Sequence, residues 1–170
     1  MQKQIKIAFT GPESSGKTTL AHLISQYYNT SFVPEYAREF LKEKGVYSKE
    51  DLDTIATKQV ALFQKSPNPL LICDTEMSVM YIWSLEKFHE VSPTIDLLLE
   101  LQEFDHIFLC APDIPWEQDA LRENPFDRER LFKLYNDLLV KKGKPFSIIK
   151  GRLEERLLLC KKQIELLRNN

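Results

Sequence analysis

A glycine-rich loop lies between a segment that predicts a β-strand and a segment that predicts an α-helix. Residues 11–18 read G-P-E-S-S-G-K-T and match the phosphate-loop pattern G-x-x-x-x-G-K-[ST] at every fixed position. Ile5–Phe9 before the loop is a short β-rich run, and Thr19–Ile24 after it has the character of a helix. A phosphate loop lies between a strand and a helix, and both are predicted here. A chance Gly/Ser-rich turn before an ordinary helix is therefore the weaker interpretation.

Two glycines of this loop, Gly11 and Gly16, let the backbone curl so that successive N–H groups point at phosphate oxygens. The helix that follows adds its positive end at the same place. We expect the Lys17 ammonium group to reach the β- and γ-phosphates and the Thr18 hydroxyl to coordinate Mg²⁺. The pattern therefore predicts a nucleoside triphosphate site that consists of Gly11, Glu13, Ser14, Ser15, Gly16, Lys17, Thr18 and Thr19.

Short apolar runs alternate with helical segments along the chain. The predicted strands lie at about 4–9, 32–33, 70–73, 107–110 and 146–149, and the predicted helices at about 19–28, 35–44, 49–65, 76–88, 93–103, 127–142 and 153–168. This alternation favours an α/β fold of three layers, with a doubly wound parallel sheet of five strands. We predict a single domain over 1–170, with the strand order of P-loop kinases and the first strand central.

Composition and charge exclude several classes of partner. The net charge of −2 gives no electrostatic reason to expect nucleic acid or a membrane surface as a partner. No apolar segment reaches the roughly 18 residues that a membrane span needs. The chain has three widely spaced cysteines and no C-x-x-C, which favours a reducing, cytoplasmic compartment over a disulfide framework. Nothing in the sequence indicates an oligomeric state.

A carboxylate ends the apolar run 70–73. Such runs are typical of buried parallel strands, so Asp74 is expected at the crevice where the carboxyl ends of the strands meet. There it can hold Mg²⁺, or a water bound to it, opposite Thr18. The alternative is that Asp74 caps the next helix, and Glu76 is a weaker second candidate for the metal.

The stretch Val33–Glu39, V-P-E-Y-A-R-E, brings a carboxylate, a phenol and a guanidinium to the end of the second strand. Glu35 and Arg38 are three residues apart and therefore share a helix face. This arrangement suits an acceptor with a hydroxyl group, which the carboxylate would hold or deprotonate and the arginine would orient. The alternative is a surface helix that begins with an ion pair.

The segment after the fourth strand contains an aromatic ring and several arginines. Trp116 lies in a polar loop bounded by prolines, where its indole could stack on a flat ring, preferably a cationic one, or fold back as packing. Arg122, Arg128 and Arg130 follow closely. In a phosphoryl-transfer enzyme such arginines close over the γ-phosphate. The alternative is a solvated helix start whose arginines pair with neighbouring acids.

Four stretches together resemble one family. They are G-P-E-S-S-G-K-T-T-L from Gly11, V-P-E-Y-A-R-E from Val33, C-D-T-E from Cys73 and P-D-I-P-W-E-Q-D from Pro112. In this order and spacing they resemble the ribosylnicotinamide kinase domain of the bacterial NadR family, within the P-loop NTPase superfamily. The resemblance covers roughly 5–130.

The resemblance implies ATP-dependent phosphorylation of nicotinamide riboside at its 5′-hydroxyl, which gives nicotinamide mononucleotide for NAD salvage. It implies ATP and Mg²⁺ as cofactors, with Thr18 and Asp74 as metal ligands. The catalytic group would be Lys17, Asp74, Arg122, Arg128 and Arg130, and the substrate-binding group Glu35, Tyr36, Arg38, Trp116 and Asp119.

Larger members of that family also carry an adenylyltransferase domain, and some a DNA-binding domain. The chain has no H-x-G-H signature, so we expect neither adenylylation nor repression. Two other functions stay open: another P-loop nucleoside or nucleotide kinase, and a regulatory ATPase switch. The absence of N-K-x-D and L-S-G-G-Q argues against a GTPase and a transport ATPase, and the acceptor residues favour a kinase.

Overall fold

A parallel β-sheet of five strands forms the centre of the fold, in a computed structural model that describes residues 4–119, 122 and 125–169. The strands are β1 Ile5–Thr10, β2 Phe32–Val33, β3 Leu70–Asp74, β4 His106–Cys110 and β5 Phe146–Ile149. They lie in the order β2-β3-β1-β4-β5, and every pair is parallel. The predicted doubly wound sheet with a central first strand is therefore confirmed.

Helices cover both faces of the sheet. They are α1 Lys17–Tyr27, α2 Tyr36–Lys44, α3 Lys49–Lys65, α4 Met77–Phe88, α5 Pro93–Leu101, α6 Arg128–Lys141 and α7 Leu153–Arg168. Residues of α1 and α7 pack in one hydrophobic cluster, and residues of α2 to α6 pack in the other. The predicted three-layer α/β architecture is thus confirmed.

Alternate residues of the central strands supply the two clusters, because successive side chains of a strand point to opposite faces. Phe9 of β1 and Phe108 of β4 stack with ring centroids 5.2 Å apart beneath α1 and α7. Ala8 and Leu109 belong to the cluster on the other face. Strands that are buried on both faces explain why these segments are continuous apolar runs in the sequence.

Helix boundaries follow local capping signals. Ser48 begins α3 with a capping box, in which its hydroxyl accepts from Asp51 N–H and the Asp51 carboxylate accepts from Ser48 N–H. The predicted end of α5 near 103 is wrong by two residues. The backbone is already extended at Gln102, since Asp105 must pair with Lys6 at the start of the sheet.

Some predicted features lie outside the described residues. These are positions 1–3 and 170 of the predicted domain and positions 120, 121, 123 and 124 of the predicted loop. The single domain over 1–170 stays a prediction. Within the described ranges no helix is both long and apolar enough to cross a membrane.

Two leucines of α5 give a test of the packing. Leu99 is completely buried, whereas Leu97 is 57% exposed. Leu99→Ala should lower the free energy of unfolding by about 2–5 kcal/mol, because it removes buried contacts and leaves a cavity. Leu97→Ala, the control, should change it by less than about 0.5 kcal/mol. Urea denaturation measures both, and equal losses in the two variants would contradict this packing.

Candidate active site

The phosphate loop follows β1 at the carboxyl edge of the sheet. Gly11 has φ 129°, and a Cβ there would lie 2.6 Å from the carbonyl oxygen of Cys110 at the end of β4. Gly16, with φ 87°, begins α1. Both positions favour glycine. At Gly11 a side chain would clash with the backbone of β4, and at Gly16 any other residue would have a strained left-handed backbone.

Lys17 lies against the loop that precedes it. Its Nζ donates to the carbonyl oxygens of Gly11 and Pro12, at 2.9 and 2.7 Å. The hydroxyl of Ser15 donates to the same carbonyl of Pro12 at 2.7 Å. These bonds hold a positive charge beside the backbone amides that are predicted to bind phosphate.

Asp74 and Thr18 form the candidate metal site. The Thr18 hydroxyl donates to Asp74 Oδ2 at 2.6 Å. Asp74 is 2% exposed, and its Oδ1 has no hydrogen-bond partner within the described ranges. Burial raises the pKa of Asp74, while the Thr18 hydrogen bond and the charges of Lys17 and Arg38 act in the opposite direction.

A buried carboxylate oxygen without a donor is satisfied by a cation. The hydroxyl and carboxylate oxygens are hard ligands of the kind that Mg²⁺ prefers, so the residues fit this ion. No group of three or more His, Cys, Asp or Glu residues in the described part of the chain could hold a metal. A magnesium ion here would therefore take most of its ligands from phosphate and water.

Glu76, the second metal candidate, serves as a helix cap. It is completely buried and caps α4, where its Oε2 accepts from Ser78 N–H at 2.8 Å and from Gln102 Nε2 at 2.5 Å. Its Oε1, like Asp74 Oδ1, has no hydrogen-bond partner within the described ranges, but Asp74 alone of the two bonds to Thr18 of the phosphate loop. Thr75 between the two carboxylates has φ 84° and donates its N–H to Phe9. The alternative in which Asp74 caps the helix is therefore wrong, because Glu76 is the cap.

A cavity of about 340 Å³ extends from the phosphate loop between α2, α4 and α6. Its polar end is formed by the loop together with Glu35, Arg38 and Arg122. The rest of its lining, the aromatic end, consists largely of aromatic and apolar side chains, among them Tyr47, Ile82, Trp83, Leu131 and Tyr135. A pocket that joins a phosphate-binding loop to an aromatic end has the form expected for a nucleoside.

Glu35 lines the cavity near Lys17 and Asp74 of the phosphate site. Arg38 binds it at 3.2 Å and also binds Asp119 at 2.9 Å, so the predicted pairing of Glu35 with Arg38 extends to a third residue. Burial and the nearby charge of Asp74 raise the pKa of Glu35, whereas Lys17 and Arg38 act in the opposite direction.

The backbone of this turn is fixed from α3. The side chain of Gln59, which is 2% exposed, accepts from Tyr36 N–H at 2.7 Å and donates to the Pro34 carbonyl at 3.1 Å. The Tyr36 ring packs beside Phe40, with centroids 6.2 Å apart, and is not among the described residues that line the cavity. Its predicted contact with substrate stays a prediction.

The three predicted lid arginines occupy different environments. Arg122 lines the cavity, donates to the Glu117 carbonyl at 2.5 Å, and has a buried Nε with no partner among the described residues. Arg128 donates to the carbonyls of Ser14 and Ile114, at 2.9 and 3.0 Å.

Arg130 turns toward acidic side chains instead. It pairs with Glu86 and, at 2.5 Å, with Asp127. The alternative of a solvated helix start, in which the arginines pair with neighbouring acids, therefore applies to Arg130. Of the three arginines, Arg122 alone borders the cavity.

Trp116 lies beside two of these arginines. The guanidinium carbons of Arg122 and Arg128 are 6.0 and 5.8 Å from its ring centroid, and its Nε1 donates to Gln118 at 3.2 Å. Trp116 is not among the described residues that line the cavity. Its indole therefore already contacts two cationic groups, and its contact with a substrate ring stays a prediction.

Comparison with known proteins places the chain in a family. The model of a family described as an AAA domain matches residues 6–156. The chain belongs to this P-loop family. The trifunctional NAD biosynthesis/regulator protein NadR of Escherichia coli (strain K12) is 27% identical over 175 residues, which cover 95% of this chain and 42% of NadR. The chain thus spans less than half the length of this relative.

Solved structures give the same result for the fold. A crystal structure of NadR in complex with NR has a TM-score of 0.72 at 20% identity, and the match covers 89% of this chain and 47% of that one. The structure of deoxyadenosine kinase from M. mycoides with products dcmp and a flexible dcdp bound has a TM-score of 0.65 at 15% identity, over 95% and 99% of the two chains. The resemblance to NadR and the P-loop kinase fold are confirmed.

Sequence reasoning missed the aromatic end of the cavity in this member of the AAA domain family. Trp83 Nε1 donates to the Tyr47 hydroxyl at 2.8 Å, and the two ring centroids are 5.0 Å apart. The residues are 36 positions apart, on α4 and in the segment between α2 and α3. The sequence indicated this part of the cavity only by Tyr47, an aromatic residue two positions after Gly45, where α2 ends.

The two carboxylates around Thr75 allow a matched test of the metal site. Asp74→Asn should raise the Mg²⁺ concentration for half-maximal nucleotide turnover by about 10- to 100-fold, the range seen when groups that support a metal are removed. Glu76→Gln should lower Tm, because it weakens a cap, and leave the Mg²⁺ requirement unchanged. A magnesium titration of turnover, with thermal unfolding of each variant, measures both effects. An unchanged requirement in Asp74→Asn would exclude Asp74 from the metal site.

Proposed function

We propose that the protein is a ribosylnicotinamide kinase, which transfers the γ-phosphoryl group of ATP to the 5′-hydroxyl of nicotinamide riboside and forms nicotinamide mononucleotide and ADP. The observation that carries this proposal is a single cavity that is lined by the phosphate loop, by Glu35 and by the aromatic pair Tyr47–Trp83. The similarity to NadR, one structure of which contains NR, supports the choice of acceptor.

The aromatic end suits a flat cationic ring. Lys87 Nζ lies 5.6 Å from the centroid of the Tyr47 ring, so this ring already attracts a positive charge. Glu86, which pairs with Arg130, also lines the cavity. We therefore assign the nicotinamide ring to Tyr47 and Trp83, where the riboside displaces the ammonium group of Lys87 from the ring face.

Trp116, the ring-binding residue predicted from the sequence, is the competing choice for the same role. Arg122 and Arg128 lie over its indole, as Lys87 lies over the Tyr47 ring, so either site would exchange a cation for the nicotinamide ring. Tyr47 and Trp83 line the cavity, whereas Trp116 is not among the described residues that line it. This difference favours the Tyr47–Trp83 pair.

Glu35 is the proposed base for the acceptor. In the step, the 5′-oxygen bonds to the γ-phosphorus, the bond from that phosphorus to the β–γ bridging oxygen breaks, and the proton of the hydroxyl passes to the Glu35 carboxylate. Its raised pKa makes it a stronger base than an exposed glutamate. Arg38, itself held by Asp119, fixes the orientation of that carboxylate.

The charge that develops on the transferred group is balanced by Lys17 and Arg122. Mg²⁺, held by Thr18 and Asp74, would neutralise charge on the phosphates when it is bound. We place the reaction in the cytoplasm, a compartment that suits three buried free cysteines.

A second candidate is another nucleoside or nucleotide kinase, since the fold also matches deoxyadenosine kinase. An aromatic pair can stack on a neutral base as well as on a cationic one. A regulatory ATPase is disfavoured, because a switch has no use for a cavity that extends beyond the phosphates.

The environments of the arginines predict different roles. Arg122→Ala should lower kcat by about 10²–10³-fold with a small effect on ATP affinity, as expected for a contact made mainly in the transition state. Arg130→Ala, the control, should keep kcat near the parental value, because Arg130 pairs with Glu86 and Asp127. ADP release at saturating ATP measures kcat, and equal rates in the two variants would remove Arg122 from the mechanism.

Acceptor choice tests the proposal directly. The purified protein should release ADP faster with nicotinamide riboside than with uridine, cytidine or thymidine. Trp83→Ala should raise the KM for nicotinamide riboside by about tenfold, given about 1–2 kcal/mol for a desolvated cation–π contact, and leave the KM for ATP unchanged.

Trp116→Ala is the matched control for the loss of an indole. It should leave the KM for nicotinamide riboside unchanged, whereas a rise in that variant and none in Trp83→Ala would move the ring to Trp116. A neutral nucleoside that is phosphorylated faster than nicotinamide riboside would reject the proposed activity in favour of the second candidate.

A further inference from the structure

A buried arginine lies behind the phosphate loop, and neither the proposed mechanism nor the sequence motifs include it. Arg156 of α7 is 2% exposed. Its Nη1 donates to the Ser15 carbonyl at 2.8 Å, its Nη2 to the Ala111 carbonyl at 3.1 Å and its Nε to the Gly151 carbonyl at 2.9 Å. One guanidinium group thus joins the phosphate loop to the segments that follow β4 and β5.

Asp113 completes this network. Its Oδ1 pairs with Arg156 Nη2, and its Oδ2 accepts from Gly151 N–H at 2.7 Å. A buried guanidinium is stable only when its charge is compensated and its N–H groups are satisfied. The carboxylate compensates the charge and, with the three carbonyls, accepts four hydrogen bonds from the guanidinium, so the group is held in one orientation.

The guanidinium lies next to the phosphate loop. A Cβ at Gly16 would lie 3.6 Å from Arg156 Nη1, an ordinary van der Waals distance. Ser15 is 1% exposed, so its carbonyl has no access to water as an alternative donor. The bond from Arg156 therefore fixes the direction of the Ser15 peptide.

We propose that Arg156 is a positioning residue for nucleotide binding. It holds the Ser15 carbonyl on the outer side of the loop, and the adjoining N–H groups consequently stay directed at the phosphates. The inference rests on the proposed function only in taking ATP as the nucleotide. It concerns the binding of ATP and is independent of which acceptor receives the phosphoryl group.

The geometry requires arginine at this position. A planar fork reaches carbonyls in three directions at once, whereas a lysine ammonium at the end of a flexible chain reaches fewer of them. A positive charge alone is therefore insufficient to hold the three carbonyls. Arg156→Lys keeps the charge but loses the alignment of the loop.

Arg156→Lys is the decisive variant. The Kd for a fluorescent ATP analogue, measured by titration without any acceptor, should rise by about tenfold, as expected when a buried charged donor loses aligned hydrogen bonds. The KM for nicotinamide riboside should stay within about twofold of the parental value, because Arg156 does not line the cavity. Arg152→Lys is the matched control: it makes the same change on an 85% exposed side chain next to α7, and should leave both constants unchanged.

Asp113→Glu keeps the test decisive if Arg156→Lys fails to fold. It keeps the countercharge of Arg156 and shifts the carboxylate by one methylene, so the Kd for the analogue should rise by about threefold. An unchanged Kd in the folded variant, or an equal rise in the KM for both substrates, overturns the inference. Normal ATP binding by the parent without phosphorylation of nicotinamide riboside would reject the proposed function and leave the role of Arg156 standing.

Discussion

The close contact between the backbones of Gly11 and Cys110 fixes where every other part of the site lies. The absence of a side chain at Gly11 lets the phosphate loop turn directly over the end of β4. The loop is thereby held at the centre of the sheet, with β3 on one side and β4 on the other. Asp74 at the end of β3 and Arg122 in the segment after β4 can then approach the same loop from opposite sides.

Charge balance is the second constraint on the site. Glu35 and Asp74 lie close enough for Asp74 to raise the pKa of Glu35, and burial raises the pKa of both. Lys17 and Arg38 offset this repulsion. In the proposed function, a bound Mg²⁺ would add positive charge beside Asp74, and the loop amides would hold the phosphates of ATP.

Predictions from local sequence were most accurate where a short segment determines its own structure. The phosphate loop and the apolar runs of β3 and β4 have signals within a few residues. Asp74 and Glu76 show the limit of such signals. Both are carboxylates before a helix, and the positive φ of Thr75 decides which one faces the loop and which one caps α4. Nothing in the composition of the segment distinguishes them.

The sequence alone determined the class of fold and the position of the phosphate site, because alternating apolar segments and a glycine-rich loop act over short distances. The tertiary structure decided which distant side chains meet. Tyr47 and Trp83 are 36 residues apart, and Arg156 is 141 residues from Ser15. Their contacts depend on how α4 and α7 pack against the sheet. That packing is a property of many buried contacts together, and no single stretch of sequence records it.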